Sequence, residues 1–147
     1  MNIYKVVKVG KDGALRSVFS LAKVRYLGGR WSKPRVKGSK LFCWPSLKSA
    51  LVFLEMSSSG VWPRKDLKLF KCEAKNPVRS SKPISGCVGL NDIRWYWRHP
   101  AAKEQPPGYF LGSDVKPYII ADAVKLTRQV KLRARISGGR LIGIGAS

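Results

Sequence analysis

The sequence predicts an α+β fold, an antiparallel-rich sheet with one or two packed helices, and three observations carry that expectation. Residues 2–9 and 14–21 are β-rich runs separated by Gly10-Lys11-Asp12-Gly13, and turn residues between two such runs mark a hairpin. Ser46 stands before Leu47, Ala50, Leu51 and Leu54, a capping residue followed by the i, i+3, i+4, i+7 stripe of a helix over 46–56. From Val124 to Ile136 the even positions are apolar apart from Arg128, and the odd positions are Lys125, Thr127, Gln129, Lys131, Arg133 and Arg135. Side chains alternate across a strand, so this pattern turns an apolar row to a core and a cationic row to solvent. Arg128 marks a bulge or a junction between two shorter strands.

The remaining elements follow in chain order. Residues 23–27 read as a third strand ended by Gly28-Gly29. Residues 30–40, with Pro34 and Gly38, read as a loop, and 40–44 return to strand composition before Pro45. Ser57-Ser58-Ser59-Gly60 ends the helix, 66–75 form a strand, and Asn76-Pro77 closes it. Residues 77–89 and 101–116 have loop composition. Between them Asn91-Asp92 can cap a short helix reaching Arg98, although the same residues also suit a strand. Residues 1–136 then make one basic α+β domain, and 137–147 a Gly-rich C-terminal tail that Leu141, Ile142 and Ile144 can dock.

Charge is the strongest functional signal. The chain of 147 residues carries 29 Lys and Arg against 8 Asp and Glu, a formal net charge of +21. Residues 1–54 hold twelve of these cations and a single acid, Asp12, while 55–147 hold seventeen cations and seven acids. Charge this evenly spread describes a basic folded surface rather than a basic tail, and hydrophobic content of 44% supplies a core beneath it. A body with that self-repulsion expects a polyanionic partner: nucleic acid first, an acidic protein surface second, an anionic membrane third. The longest mainly apolar run, residues 50–54, is far short of the ~20 residues that span a bilayer. No secretory pattern opens the chain, and three cysteines make no disulfide framework. The expected compartment is cytoplasmic.

Two surfaces are candidates for phosphate contact. One is the strand row of Lys125, Lys131, Arg133 and Arg135, whose alternate residues lie about 6.6–7 Å apart and can follow a nucleic-acid backbone. The plainer account is a solvated strand face. The other surface spans residues 23–40, with Lys23, Arg25, Arg30, Lys33, Arg35, Lys37 and Lys40 around Tyr26 and Trp31 and no acid at all. Interleaved cations and rings suit a single strand, neutralising phosphates while a ring stacks on a base. A tryptophan beside two glycines more commonly packs into a core. Arg94-Trp95-Tyr96-Trp97-Arg98-His99 offers a second stacking platform, with core packing again the commoner fate of such rings.

Catalytic signals are sparse. His99 is the one histidine, and the Cys43, Cys72, Cys87, His99 set has no short Cys-x-x-Cys arm for zinc. Buried structural cysteines are the expectation. Neither Glu55 nor Glu73 has an evident carboxylate partner, and no phosphate loop follows a strand. No catalytic residue, metal or cofactor is implied.

Tyr4-Lys5-Val6-Val7, Leu15-Arg16-Ser17, Tyr26-Leu27-Gly28, Leu41-Phe42-Cys43-Trp44-Pro45-Ser46 with Ala50 and Phe53, and Lys71-Cys72-Glu73-Ala74-Lys75-Asn76-Pro77 together resemble small uncharacterised bacteriophage-type proteins. The resemblance covers the first half of the chain, with residues 121–126 as its last element. The order of elements is also loosely similar to the half-barrel of ADP-ribosyltransferase-like domains. That similarity implies nicotinamide-gripping roles for Ser17, Tyr26 and Glu73, but the first-strand His or Arg of the pattern has no counterpart. The bacteriophage resemblance implies a host-cytoplasmic or virion setting. The leading expectation is a nucleic-acid-binding protein that contacts phosphates with little sequence specificity. A virion component or an inhibitor docking on an acidic host protein stands second, and an ADP-ribosyltransferase-like enzyme third.

Overall fold

The computed structural model describes residues 2–18, 24–58, 66–80, 85–87, 94–95, 97–98, 108–110 and 118–146. Of the described residues strand accounts for 56% and helix for 14%, so the architecture is closer to all-β than to the expected α+β fold with packed helices. The reason is local. Segments read as loop carry two- and three-residue strands, too short for a period to register, while among the described residues helix is confined to one three-turn element and to residues 94–95 and 97–98.

Six antiparallel strands form the main sheet: β1 (Ile3–Val9), β2 (Leu15–Ser17), β3 (Arg25–Tyr26), β4 (Trp31–Ser32), β6 (Leu67–Lys75) and β11 (Ala123–Val130), in the order β3-β2-β1-β6-β11-β4. The two end strands are consecutive in the chain, and at their junction Ser32 Oγ donates to the Arg25 carbonyl at 3.2 Å. Gly29, at φ 73°, donates its N–H to the Leu126 carbonyl at 3.0 Å. The sheet therefore curls until its ends meet, forming a barrel with a seam between β3 and β4. The expected first hairpin is present: Asp12 accepts the Ala14 N–H at 3.1 Å, and Gly13 supplies the positive φ that the turn requires.

A second sheet, β5 (Leu41–Cys43), β10 (Tyr118–Ala121) and β7 (Val78–Ser80), closes one side of the barrel. Its strands β7 and β10 continue β6 and β11 past one shared corner. There Asp122 accepts from both the Lys40 ammonium and Asn76 Nδ2, the latter at 2.7 Å, while its own N–H binds the Lys75 carbonyl. Asn76 takes φ 50° to make the bend, a conformation asparagine tolerates better than most residues. A further short pair joins β8 (Ser85–Cys87) to β9 (Gly108–Phe110).

Two cores result. Inside the barrel lie Ile3, Val7, Val24, Tyr26, Cys72, Val124 and Leu126, met by Leu41, Cys43, Ile119 and Ala121 of the second sheet. Outside it, Val6, Leu67 and Leu69 are covered by α1 (Leu47–Ser58), Trp44 and Tyr118. Ser46 Oγ accepts the Ser49 N–H at 3.1 Å and so caps α1 as its sequence implied. The helix buries Ala50, Phe53 and Leu54, while Leu47 and Leu51 flank the contact.

The alternating row over 124–136, where Arg128 marked a bulge or a junction between two strands, contains both. It breaks at Lys131 into β11 and β12 (Leu132–Ser137), and β12 turns back to pair with β13 (Arg140–Ala146). The segment expected as a tail is thus a strand, with Ile144 buried in the outer core. Within β11 the register shifts between Leu126 and Arg128, a bulge that returns Arg128 to the outer face. Among the described residues no helix is long and apolar enough to cross a membrane.

Candidate nucleic-acid interface

The outer wall of the barrel is divided. Toward one end α1 covers β1 and β6. Toward the other, Lys71, Glu73 and Lys75 of β6 stand opposite the cysteine-bearing inner face, because residues two apart share a face. Cross-strand register extends this row. Lys125 of β11 is opposite both Glu73 of β6 and Trp31 of β4, and one bulge further along, Arg128 is opposite Lys71.

Trp31 is the centre of this face. It is 38% exposed, not packed in the core as its glycine neighbours suggested. The Lys75 ammonium lies 4.5 Å and the Lys125 ammonium 5.1 Å from its ring centroid. Lys125 also binds Glu73 Oε2 at 3.0 Å. The two surfaces that the sequence offered as rivals therefore meet here, Trp31 from one and Lys125 from the other. Arg30 is exposed just before β4, and Lys33, Arg35 and Lys37 are exposed in the loop after it. Arg25 is exposed across the seam, at the end of a second cation row in which Lys8 faces Arg16 and Arg16 faces Arg25.

Only Arg16 in that second row is neutralised by a described partner, Asp12, through two bonds of 2.9 and 2.8 Å. The guanidinium beside Asp12 and the Ala14 N–H hold its carboxyl well below the usual carboxylate range. Cations placed directly opposite one another across a sheet are destabilising. Lys71 with Arg128, and Lys8 with Arg16 and Arg25, are arrangements that stability alone does not favour.

The other expected residues fall elsewhere. Tyr26 is 2% exposed and points into the barrel. Lys40 is tied to Asp122, and Lys23 lies outside the described residues. Lys131 is exposed at the break between β11 and β12, and Arg133 and Arg135 are exposed on β12, off the barrel wall. Trp97 lies 5.4 Å from Phe42 between ring centroids, which is packing; Tyr96 and His99 lie outside the described residues. Lys71, Lys75 and Arg128 were not singled out from the sequence as phosphate contacts, although the alternation of Lys71, Glu73 and Lys75 about buried Cys72 was a signal that could have found the two lysines.

The residues matched to a nicotinamide site do not gather. Ser17 Oγ accepts the Val24 N–H at 3.3 Å, Tyr26 is inside the barrel, and Glu73 is on its outer wall.

Inside the barrel a polar cluster surrounds Lys5, which is 7% exposed. Its ammonium donates to the Phe42 carbonyl and lies 5.4 Å from the Tyr26 ring centroid. Burial works against that charge, but the neighbouring Tyr26 and Cys43 side chains outweigh it and raise the pKa of Lys5. Cys72, hydrogen-bonded to Cys43, lowers the pKa of Cys43 against the effect of burial, and Lys5 lowers it further. The same bond and burial push the Cys72 thiol up. Both cysteines are free, and among the described residues no three Cys, His, Asp or Glu side chains group to hold a metal. The Cys87 side chain and His99 lie outside what is described. Comparison with protein-family models, curated proteins and solved structures finds no match for this chain.

Proposed function

We infer that this protein binds nucleic acid through the outer face of β4, β11 and β6, with Trp31 as a stacking surface and Lys75, Lys125, Lys71 and Arg128 as phosphate contacts. The observation that carries the reading is the exposed indole of Trp31 attended by two ammonium groups on a face where further cations stand opposite one another. Rings and cations in this arrangement serve sequence-tolerant binding, since every base has a π-face and every nucleotide a phosphate. Lys125 supplies a phosphate contact by leaving Glu73, a partly exposed pair that contributes little. The net charge of +21 adds long-range attraction for the same partner.

The test is affinity for a mixed-sequence oligonucleotide as a function of salt. Each phosphate contact contributes a slope of about 0.7–0.9 to the plot of log affinity against log salt. Replacing Lys71, Lys75 and Lys125 together by Ala should reduce that slope by up to about three contacts for every sequence alike. Absence of wild-type binding at physiological salt, together with capture of an acidic polypeptide, overturns the reading in favour of a protein partner.

A further inference from the structure

Strands β12 and β13 hydrogen-bond only to each other among the described residues. Their two-residue turn, Gly138-Gly139, has φ of 59° and 76°, the positive pair that a tight hairpin needs. The two faces of this ribbon differ. On one, Leu132 is opposite Ala146 and Ala134 opposite Ile144; Ile144 is 5% exposed and packs with Leu132 in the outer core. That face is the anchor.

The opposite face pairs each arginine with a glycine: Arg133 with Gly145, and Arg135 with Gly143. Glycine weakens a strand and marks places where another backbone comes close. A methyl group at Gly143 would lie 2.7 Å from Arg135 Nη2 and 3.2 Å from its Nε, so the guanidinium rests on bare backbone. Beyond the shift after Arg135, every residue from 135 to 140 is exposed. Two apolar side chains stand uncovered there, Ile136 at 55% and Ile142 at 62%. No acid occurs anywhere in residues 123–147.

We propose that the β12–β13 ribbon is an arm for the major groove of B-form duplex DNA, with Arg133, Arg135 and Arg140 on the groove walls and Ile136 and Ile142 against base edges. It rests on the nucleic-acid reading above and adds to it a second element that takes duplex, where the Trp31 face takes unpaired bases. A two-stranded ribbon is the β element that a major groove about 12 Å wide admits. Apolar groups meet thymine methyls there, and arginine meets guanine edges or phosphates. An acidic protein would complement the arginines but gives no reason for a glycine opposite both Arg133 and Arg135. Duplex RNA is a poor fit, because its major groove is deep and narrow.

The experiment measures affinity of the full chain for one sequence as duplex DNA, single-stranded DNA and duplex RNA. Wild type should prefer duplex DNA. The Ile136→Ser/Ile142→Ser double variant, altered only at exposed positions, should melt like wild type. It should lose about tenfold in duplex DNA affinity with the salt slope unchanged, and nothing on single strands. Arg133→Ala/Arg135→Ala should lose duplex affinity and up to about two contacts of slope. Equal wild-type affinity for duplex RNA, or equal losses on all three probes, overturns the groove assignment. Binding that is insensitive to both ribbon variants but weakened by Trp31→Ala overturns the arm alone. Binding to none of the probes overturns the nucleic-acid reading with it.

Discussion

Lys125 is the cross-strand partner of Trp31, and its ammonium stands 5.1 Å from the centre of the indole ring. A cation over an exposed ring contributes about 0.5–1 kcal/mol, so the pair holds the tryptophan in place without hiding it. The register of two residues in β4 against one long strand thus decides where an aromatic and a cation meet.

Trp31→Ala should cost binding rather than folding. Its ring is already partly in water, so the melting temperature should change little. Affinity for single-stranded oligonucleotides should fall by about 1–3 kcal/mol, the value of one base stack. Anisotropy titrations alongside thermal melts separate the two effects. A large drop in melting temperature would show that the ring is structural.

Arg128→Gln should move stability and binding in opposite directions. Relieving the Arg128–Lys71 opposition should stabilise the fold by about 0.2–1 kcal/mol. The same change should remove about one phosphate contact from the salt slope, roughly 0.7–0.9. Losses in both would mean that Arg128 is held by contacts the face assignment omits.

At the strand corner, Lys40 and Asn76 hold the Asp122 carboxyl below its usual range, with burial opposing them. A depressed folded pKa adds stability that is complete above the unfolded value of about 3.9 and is lost as pH falls through the folded value. Denaturant melts of wild type and Asp122→Asn should therefore differ most near neutrality and converge in acid. A constant gap between them would remove the carboxylate from the corner's energetics.

Within the barrel, Lys5→Met should raise the pKa of Cys43 by withdrawing the neighbouring ammonium. Thiolate ultraviolet absorbance against pH reads this directly, with Cys43→Ser assigning the signal. An unshifted titration would mean that Cys72 alone sets the Cys43 thiol.

Leu54→Ala should destabilise by about 2–5 kcal/mol, since the side chain is fully buried between α1 and the barrel wall. Leu51→Ala, at the edge of that contact, should cost less. Equal losses would redraw the helix face.

The parts of the fold legible in the sequence were those with a period long enough to count. The β1 turn at Asp12 and Gly13, the Ser46 cap and the strand ending at Asn76 are written in local chemistry. What escaped was set by distant partners. Trp31-Ser32 is a strand only because Val124 and Lys125 pair with it. Residues 124–136 alternate on both sides of Arg128 with no sign of a break at Lys131, yet the chain leaves the barrel there because β12 pairs with β13 instead. The α+β expectation failed on strands such as β4, β7 and β8, whose two or three residues carry no period at all. At the interface, the cation types were plain from composition. The opposition of Lys71 and Arg128 depends on a bulge whose position fixes the register, and composition does not contain it.

Where β1 meets β6 and β6 meets β11, barrel strands that adjoin in space are remote along the chain: the Cys72 thiol reaches the Ile3 carbonyl across 69 residues, and Thr127 reaches Lys71 across 56. Topologies of this kind fold slowly, because long loops must close before any contact rewards them. The consequence reaches the interface. Trp31, Lys75 and Lys125 leave the ribosome far apart in time, and the face they share cannot assemble until β11 has been synthesised and docked. A nascent chain therefore carries its positive charge long before that face exists, and the seating of the penultimate strand of the barrel's chain order, β6, against the last, β11, is the step that gathers Trp31, Lys75 and Lys125 into the surface proposed above to bind nucleic acid.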